Sequence, residues 1–206
     1  GGQNCRDGMD ITPQEIFDYV RSGKGVCRTA AVNVGDYTAF FKKCRENYDA
    51  VIHFNISSDF SSCYQNACIA AKEFTNVYPV DSRNLSTGIG HLVLNAAEMA
   101  EQGMDAADIA AALKKKREKL DVSFVIDTLE YLKRGGRCSP SAAFFGTMLK
   151  IKPVLHVDSE GRLIARSKVR GRMQALRAIA MKFGELEADK DQMIFISHGD
   201  CEKDAM

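Results

Sequence analysis

Apolar residues recur at helical spacing in some stretches of this 206-residue chain, in short unbroken runs in others, and each pattern predicts an element. The stretch Asp10-Ile-Thr-Pro-Gln-Glu opens a helix. Thr12 is a fitting N-cap, Pro13 suits the first turn, Glu15 completes a capping box, and Gly23-Lys24-Gly25 ends the element. A loop over 27–34 leads to a second helix over 35–47, where Tyr37, Phe40, Phe41 and Cys44 fall at helical spacing. The apolar run 49–55 reads as a buried strand, followed by a serine-rich turn and a helix over about 61–74. A strand over 76–81 and helices over 88–103 and 105–120 come next, with Lys114-Lys115-Lys116-Arg117 as a solvated face. Strands alternating with helices across short turns predict a parallel sheet covered by helices on both sides.

The second half reads differently. A strand over 122–126 precedes short helices over 128–134 and 141–149, the latter opened by Ser139-Pro140. Strands over 152–157 and 162–168 flank Asp158-Ser-Glu-Gly161, a hairpin signal with a four-residue connection. An amphipathic helix over 172–187 and a strand over 192–197 complete the pattern. Hairpin strands among helices predict a mixed or antiparallel second sheet. The fold class is therefore α/β in two domains, residues 1–120 and 121–206, with the boundary near Asp121.

Composition narrows the classes. Apolar residues make up 45% and charged residues 27%, ordinary for a globular protein. A formal net charge of +1 gives no reason to expect nucleic acid as a partner. No apolar run approaches a membrane span and no charged-then-apolar leader pattern opens the chain. Seven cysteines without a Cys-x-x-Cys pair, and only four histidines, predict a reducing cytoplasm with neither disulfides nor a metal site.

Two places offer chemistry. After Leu129-Glu-Tyr-Leu-Lys-Arg, either Gly135 or Gly136 can take the left-handed conformation that closes a helix. Arg137 follows at once, with its planar fork of donors expected to be free for a carboxylate or phosphate. Its plainer role is to bind the last helix carbonyls. The turn over 56–64 places Ser57, Ser58, Ser61 and Ser62 between a strand end and a helix start, where N–H donors are unpaired and an anion is favoured. Capping the helix is the plainer role for any one of them.

These stretches, taken together, resemble the DegV family of bacterial lipid carriers. The resemblance is carried by the Leu-x-Tyr-Leu-x-x-Gly-Gly-Arg ending at Arg137, then Ile151-Lys152-Pro153, the Asp-x-x-Gly hairpin, and Lys168-Val-Arg-Gly-Arg172. Upstream it is carried by the serine-rich turn, by Val80-Asp81-Ser82 and by Thr87-Gly88-Ile89-Gly90, so that it runs from about Arg6 to Asp200. It implies a two-domain DegV-like fold that binds a long-chain fatty acid in an apolar tunnel with its carboxylate at the interdomain cleft. Thr29, Ser61 and Arg137 would hold the headgroup, with Ser58 and Ser62 as further donors. Ile89, Leu92, Val93, Phe144, Phe145, Met148 and Leu149 would wall the tail. The chain would be a carrier without catalytic residues, cofactor or metal, presenting the acid to a separate fatty-acid kinase that phosphorylates it with ATP. Lys168, Arg170 and Arg172 form a basic cluster suited to docking a partner or to transient membrane contact, against the plainer reading of a solvated face.

Departures from the family pattern are equally specific. Ala30, Ala31 and Val32 replace Ser, Gln and Pro, Cys63 replaces Thr, and Ser62 replaces Gly. A family histidine in a Gly-rich segment has no counterpart, since His198 lies elsewhere. A first strand with an Asp-Ser turn, and a further helix and strands at the other end, are expected to be missing. Two alternatives compete. A serine-dependent acyl hydrolase would need a base among His53, His91, His156 and His198, yet there is no Gly-x-Ser-x-Gly elbow. A nucleotide-binding α/β protein is suggested by Gly88-Ile-Gly90 opening a helix, but the third glycine is lacking.

Overall fold

The computed structural model describes residues 3–137, 151–189, 191–199, 201 and 203. It divides into two compact units, 1–30 and 31–206. In the first unit, helix α1 (Pro13–Arg21) starts at the capping box read from the sequence. The Glu15 N–H donates to Thr12 Oγ1 at 3.3 Å, and the Thr12 N–H donates to Glu15 Oε2 at 2.8 Å. The helix buries none of its residues, so its definition comes from these local bonds.

In the second unit, β1 (Val51–Asn55) and β2 (Val77–Asp81) pair in parallel, with Val51 opposite Val77 and Asn55 opposite Asp81. Successive strand residues point to opposite faces, and the apolar ones sort accordingly into two cores. On one face Val51 and Val77 meet Tyr37 and Phe41 of α2 (Val34–Arg45) and Ala67 and Ala70 of α3 (Cys63–Ala71). On the other, Ile52, Phe54 and Val80 meet Leu92 and Met99 of α4 (Ser86–Glu101) and Ile109 and Leu113 of α5 (Ala106–Lys116). A 3₁₀ turn, Arg117–Lys119, closes α5. The parallel pair is thus helix-covered on both faces, as the alternation predicts.

His53 interrupts the apolar run of β1 without breaking the core. The rings of Tyr37, Phe40 and Phe41 surround it at centroid distances of 5.2, 5.8 and 5.3 Å. Burial pushes the imidazole below its ordinary range, so it packs as a neutral ring.

Beyond Asp121 the pairing becomes antiparallel, in the order β3 (Val122–Val125), β4 (Ile151–Val157), β5 (Leu163–Arg170). Pro153 lies inside the central strand, where a missing N–H would ordinarily cost a ladder bond. Here β3 pairs only as far as Val154, so on that side nothing is lost. Helix α7 (Arg172–Glu185) lies against all three strands and buries Ala175.

Two expectations need correction. The β4–β5 connection has five residues, because Asp158 pairs with Arg162 (Asp158 N–H to Arg162 O, 3.0 Å) and the strand resumes only at Leu163. The run 192–197 is irregular rather than a strand. Extended backbone becomes a strand only when a neighbour takes its N–H and C=O groups, and no described strand pairs with it. Met193, Ile194, Phe195 and Ile196 are all exposed. The helix expected over 141–149 lies outside the described residues.

A neutral, half-buried imidazole makes stability depend on pH. Below about pH 6.5 the unfolded chain takes up the proton before the folded one does, so stability falls as pH falls. His156, held low chiefly by burial, adds to the same slope. Urea melts at about pH 7.5 and about pH 5.5 should show a smaller acid loss for His53→Phe than for the wild type. An equal loss would mean that His53 takes up a proton as easily folded as unfolded.

Candidate functional site

Where β1 and β2 end, the loops bury Asn55, Ser57, Asp81, Ser82 and Asn84. Buried polar groups require partners, and Asp81 supplies several. Its Oδ1 accepts the Ser58 N–H at 3.2 Å and the Arg83 N–H at 3.0 Å, while Oδ2 accepts the Ser58 hydroxyl at 2.7 Å. Arg83 reaches this position with φ at 47°, a left-handed conformation uncommon outside glycine. The Ser57 N–H donates to the Asn84 carbonyl at 2.9 Å, and Arg117 Nη1 donates to the Asp81 carbonyl at 2.5 Å.

The four serines of the turn divide their roles. Ser57 is fully buried and donates its hydroxyl to the Gly161 carbonyl at 2.8 Å. Ser58 is committed to Asp81. Ser61 Oγ accepts the Cys63 N–H at 3.3 Å, satisfying one of the open donors at the start of α3, and its own proton points to Cys63 Sγ at 3.1 Å. Ser62, the exposed N-cap residue, makes no side-chain cap bond. Burial pushes the Cys63 thiol up. Bonds from Ser61, the Val32 backbone and the Tyr37 hydroxyl outweigh that and leave it below its ordinary range.

Arg137 arrives from helix α6 (Glu130–Arg134). The Gly136 N–H bonds the Lys133 carbonyl at 3.1 Å and the Arg137 N–H bonds the Leu132 carbonyl at 2.9 Å, the two closures of a Schellman motif. The left-handed corner falls on Gly136, with φ at 72°, while Gly135 stays right-handed. The donors of Arg137 are not all free, contrary to expectation. Nε donates to the Phe60 carbonyl at 3.1 Å and Nη1 to the Gly135 carbonyl, because unpaired carbonyls lie within reach of the exposed fork. The bond to Phe60 sets the guanidinium one residue from Ser61, so two headgroup candidates meet at one turn. Thr29 is exposed on the irregular stretch that ends the first unit.

The proposed tail residues are scattered in role. Leu92 is 1% exposed within the core of β2, α4 and α5; Ile89 is half-buried and Val93 exposed. Phe144, Phe145, Met148 and Leu149 lie outside the described residues. A cleft of about 200 Å³ between α4 and residues 191–193 is lined by His91, Asn95, Glu98 and Asp191 among others, and by none of the tail candidates. Within the basic cluster, Arg172 is tied to Asp127 at 2.7 Å, beside Lys152 on the same carboxylate at 3.1 Å.

The competing chemistries find little support in the geometry. Asp121, Ser123 and His156 lie together, but Ser123 Oγ (3.2 Å) and Asp121 Oδ1 (3.7 Å) both approach His156 Nδ1. A relay needs nucleophile and orienter on opposite ring nitrogens. Gly88 is buried because a Cβ there would collide with Asn84 Oδ1 and stand 3.0 Å from Val122 Cγ2. Close packing, not a phosphate cradle, explains that glycine.

The family model described as "uncharacterised protein, DegV family" matches residues 1–206. The chain belongs to the DegV family. A DegV domain-containing protein of Clostridium perfringens is 34% identical over 206 residues, covering 95% of this chain and 69% of its relative. A DegV family protein of Thermus thermophilus, whose structure is described as fatty acid binding, matches with a TM-score of 0.78 at 37% identity. That match covers 86% of this chain and 64% of the other. DegV of Bacillus subtilis, described as a fatty acid binding protein, matches with a TM-score of 0.72 at 28% identity over 86% and 64% of the two chains. The chain thus spans about two thirds of the length of these DegV relatives. The α/β DegV fold expected from the sequence is the fold found.

Sequence reading missed the Asp81 hub and the bond from Ser57 to Gly161. Asp81-Ser82 and the Asp-x-x-Gly turn were visible as motifs, but their meeting is a tertiary fact. Asp81→Ala would strip the Ser58 and Arg83 N–H groups of their acceptor. Stability to urea should fall by about 1–3 kcal/mol, the cost of leaving buried donors unmade; an unchanged midpoint would deny Asp81 that role.

Proposed function

We propose that this chain binds a long-chain fatty acid, with the carboxylate at the Ser61 turn and Arg137, and presents it to a fatty-acid kinase. One observation carries the reading. A hydroxyl at the start of α3 and an always-charged fork from α6 converge on Phe60–Ser61, in a chain 37% identical to a fatty-acid-binding DegV protein. The helix start adds a partial positive charge and open N–H groups, both favourable to a carboxylate. Thr29 joins the headgroup set, and Ile89, Leu92, Phe144, Phe145 and Met148 the tail set, by the family resemblance alone. Ser58 and Ser62 are further candidate donors, Ser58 with its hydroxyl already given to Asp81 and Ser62 without a side-chain cap bond.

Magnitudes favour an amphiphile over a small anion. Burying about fourteen methylenes yields roughly 11 kcal/mol gross at about 0.8 each, from which association and tail ordering subtract several kcal/mol. The tail therefore supplies affinity, and the polar turn supplies orientation. No described helix is long and apolar enough to cross a membrane, and the reading assigns the chain to the cytoplasm, where such a kinase and its ATP would be found.

Stripped of lipid and titrated with a long-chain fatty acid, Arg137→Ala should bind roughly tenfold to a hundredfold more weakly, the scale of a hydrogen bond to a charged group. Ser61→Ala should lose several-fold, about one neutral hydrogen bond. Wild-type affinity in both variants would remove the headgroup from this turn. With fatty-acid kinase and ATP added, the bound acid should become an acyl phosphate. A wild-type protein that binds acid but yields none would keep the binding and lose the presentation.

A further inference from the structure

The serine-rich turn is held by residues more than seventy positions away in sequence. The tip of the β4–β5 hairpin is internally rigid. Asp158 Oδ1 accepts the Glu160 and Arg162 N–H groups at 3.0 and 2.9 Å, and the Gly161 N–H closes onto the Asp158 carbonyl at 2.9 Å. This tip is pressed onto the loops that follow β1 and β2. Gly161 is buried, and its carbonyl accepts the Ser57 hydroxyl at 2.8 Å. Arg83 Nη1 donates to the Ser159 carbonyl at 3.1 Å and lies 3.8 Å from Glu160 Oε1.

The contact leaves no spare room. A Cβ on Gly161 would collide with Ser57 Oγ and stand 2.9 Å from Arg83 Cα, which is backbone and cannot swing aside. Gly161 also has φ at +80°, where a side chain is strained in any surroundings. From Ser57 the hold passes along the turn. Ser57 Oγ accepts the Asp59 N–H at 3.3 Å, its carbonyl accepts the Phe60 N–H at 3.0 Å, and Arg137 grips the Phe60 carbonyl at 3.1 Å. Ser61 follows directly.

We propose that the hairpin tip is a clamp, with Gly161, Ser57 and Arg83 as positioning residues that fix the Ser58–Ser62 turn and so set its preference for a carboxylate headgroup. The clamp would not touch ligand. It would hold the hydroxyl of Ser61 and the fork of Arg137 at one spacing, so its loss should erode headgroup discrimination while leaving tail binding intact. This rests on the fatty-acid reading given above.

The test compares wild type with Ser57→Ala, Gly161→Ala and Arg83→Gln, using a long-chain fatty acid and the fatty alcohol of the same tail as probes. Gly103→Ala is the control for strain alone, since Gly103 has φ at +82° with nothing near its would-be Cβ. Backbone hydrogen exchange over 58–63, without added lipid, is the second readout. Ser57→Ala and Gly161→Ala should bind the acid roughly tenfold more weakly and the alcohol as before, with exchange roughly tenfold faster, the scale of one lost buried hydrogen bond. Gly103→Ala should leave the exchange and the acid-to-alcohol ratio at wild-type values. A ratio and exchange unchanged in Ser57→Ala and Gly161→Ala, or equal losses for acid and alcohol, would overturn the clamp. If Gly161→Ala fails to fold, Ser57→Ala and Arg83→Gln decide by the same criteria. If the wild type does not prefer acid over alcohol, the carboxylate reading fails by itself. Exchange over 58–63 then decides the clamp, faster upholding it and unchanged overturning it.

Discussion

Burying polar side chains at the ends of two parallel strands obliges the surrounding chain to satisfy them, and most of the second unit is arranged around that obligation. Asn55, Ser57, Asp81, Ser82 and Asn84 are all withdrawn from water in one place. An unmade bond there would cost about 1–3 kcal/mol, comparable to a substantial share of a domain's net stability. The partners come from near and far: a carbonyl of the hairpin tip for Ser57, the backbone N–H groups of neighbouring Arg83 and of Ser58 for Asp81, and an arginine of the 3₁₀ turn for the Asp81 carbonyl. The β4–β5 hairpin is therefore joined to the ends of β1 and β2 by hydrogen bonds of defined direction. Direction is what a binding turn needs, since apolar packing alone tolerates sliding.

The elements were legible in the sequence wherever a local rule governs them. Thr12, Pro13 and Glu15 define the start of α1, as their spacing predicts. The alternation around β1 and β2 sorted Val51 and Ile52 onto opposite cores as period two requires. The run 192–197 is apolar yet unpaired among the described residues, because pairing depends on a neighbour that no single segment specifies. The hairpin length was misjudged by one residue, because Asp158 bonds across to Arg162 and lengthens the loop.

The site was legible in outline. Residue type and turn position picked out the serine turn and Arg137, the family resemblance picked Ser61 among the serines, and the structure brings Arg137 to the carbonyl of Phe60, next to Ser61. Which serine does what could not be read, because hydroxyls of neighbouring residues differ only in the acceptors that folding delivers. Ser57 and Ser58 were absorbed by Gly161 and Asp81 respectively, each remote in sequence. Cys63, where the resemblance expects a threonine, has a physical setting. The Ser61 proton rests on a thiol, a weak acceptor.

The anchoring of Arg137 fixes the plane of its guanidinium. A guanidinium carries five N–H donors in one plane. With Nε held by Phe60 and one Nη1 proton held by Gly135, the flank formed by Nε and Nη2 is half occupied. Two of the five donors are thus committed, and one proton on Nη1 and both on Nη2 remain outside these two bonds. The plane of this cation is therefore already set by backbone carbonyls, with three donors still to place.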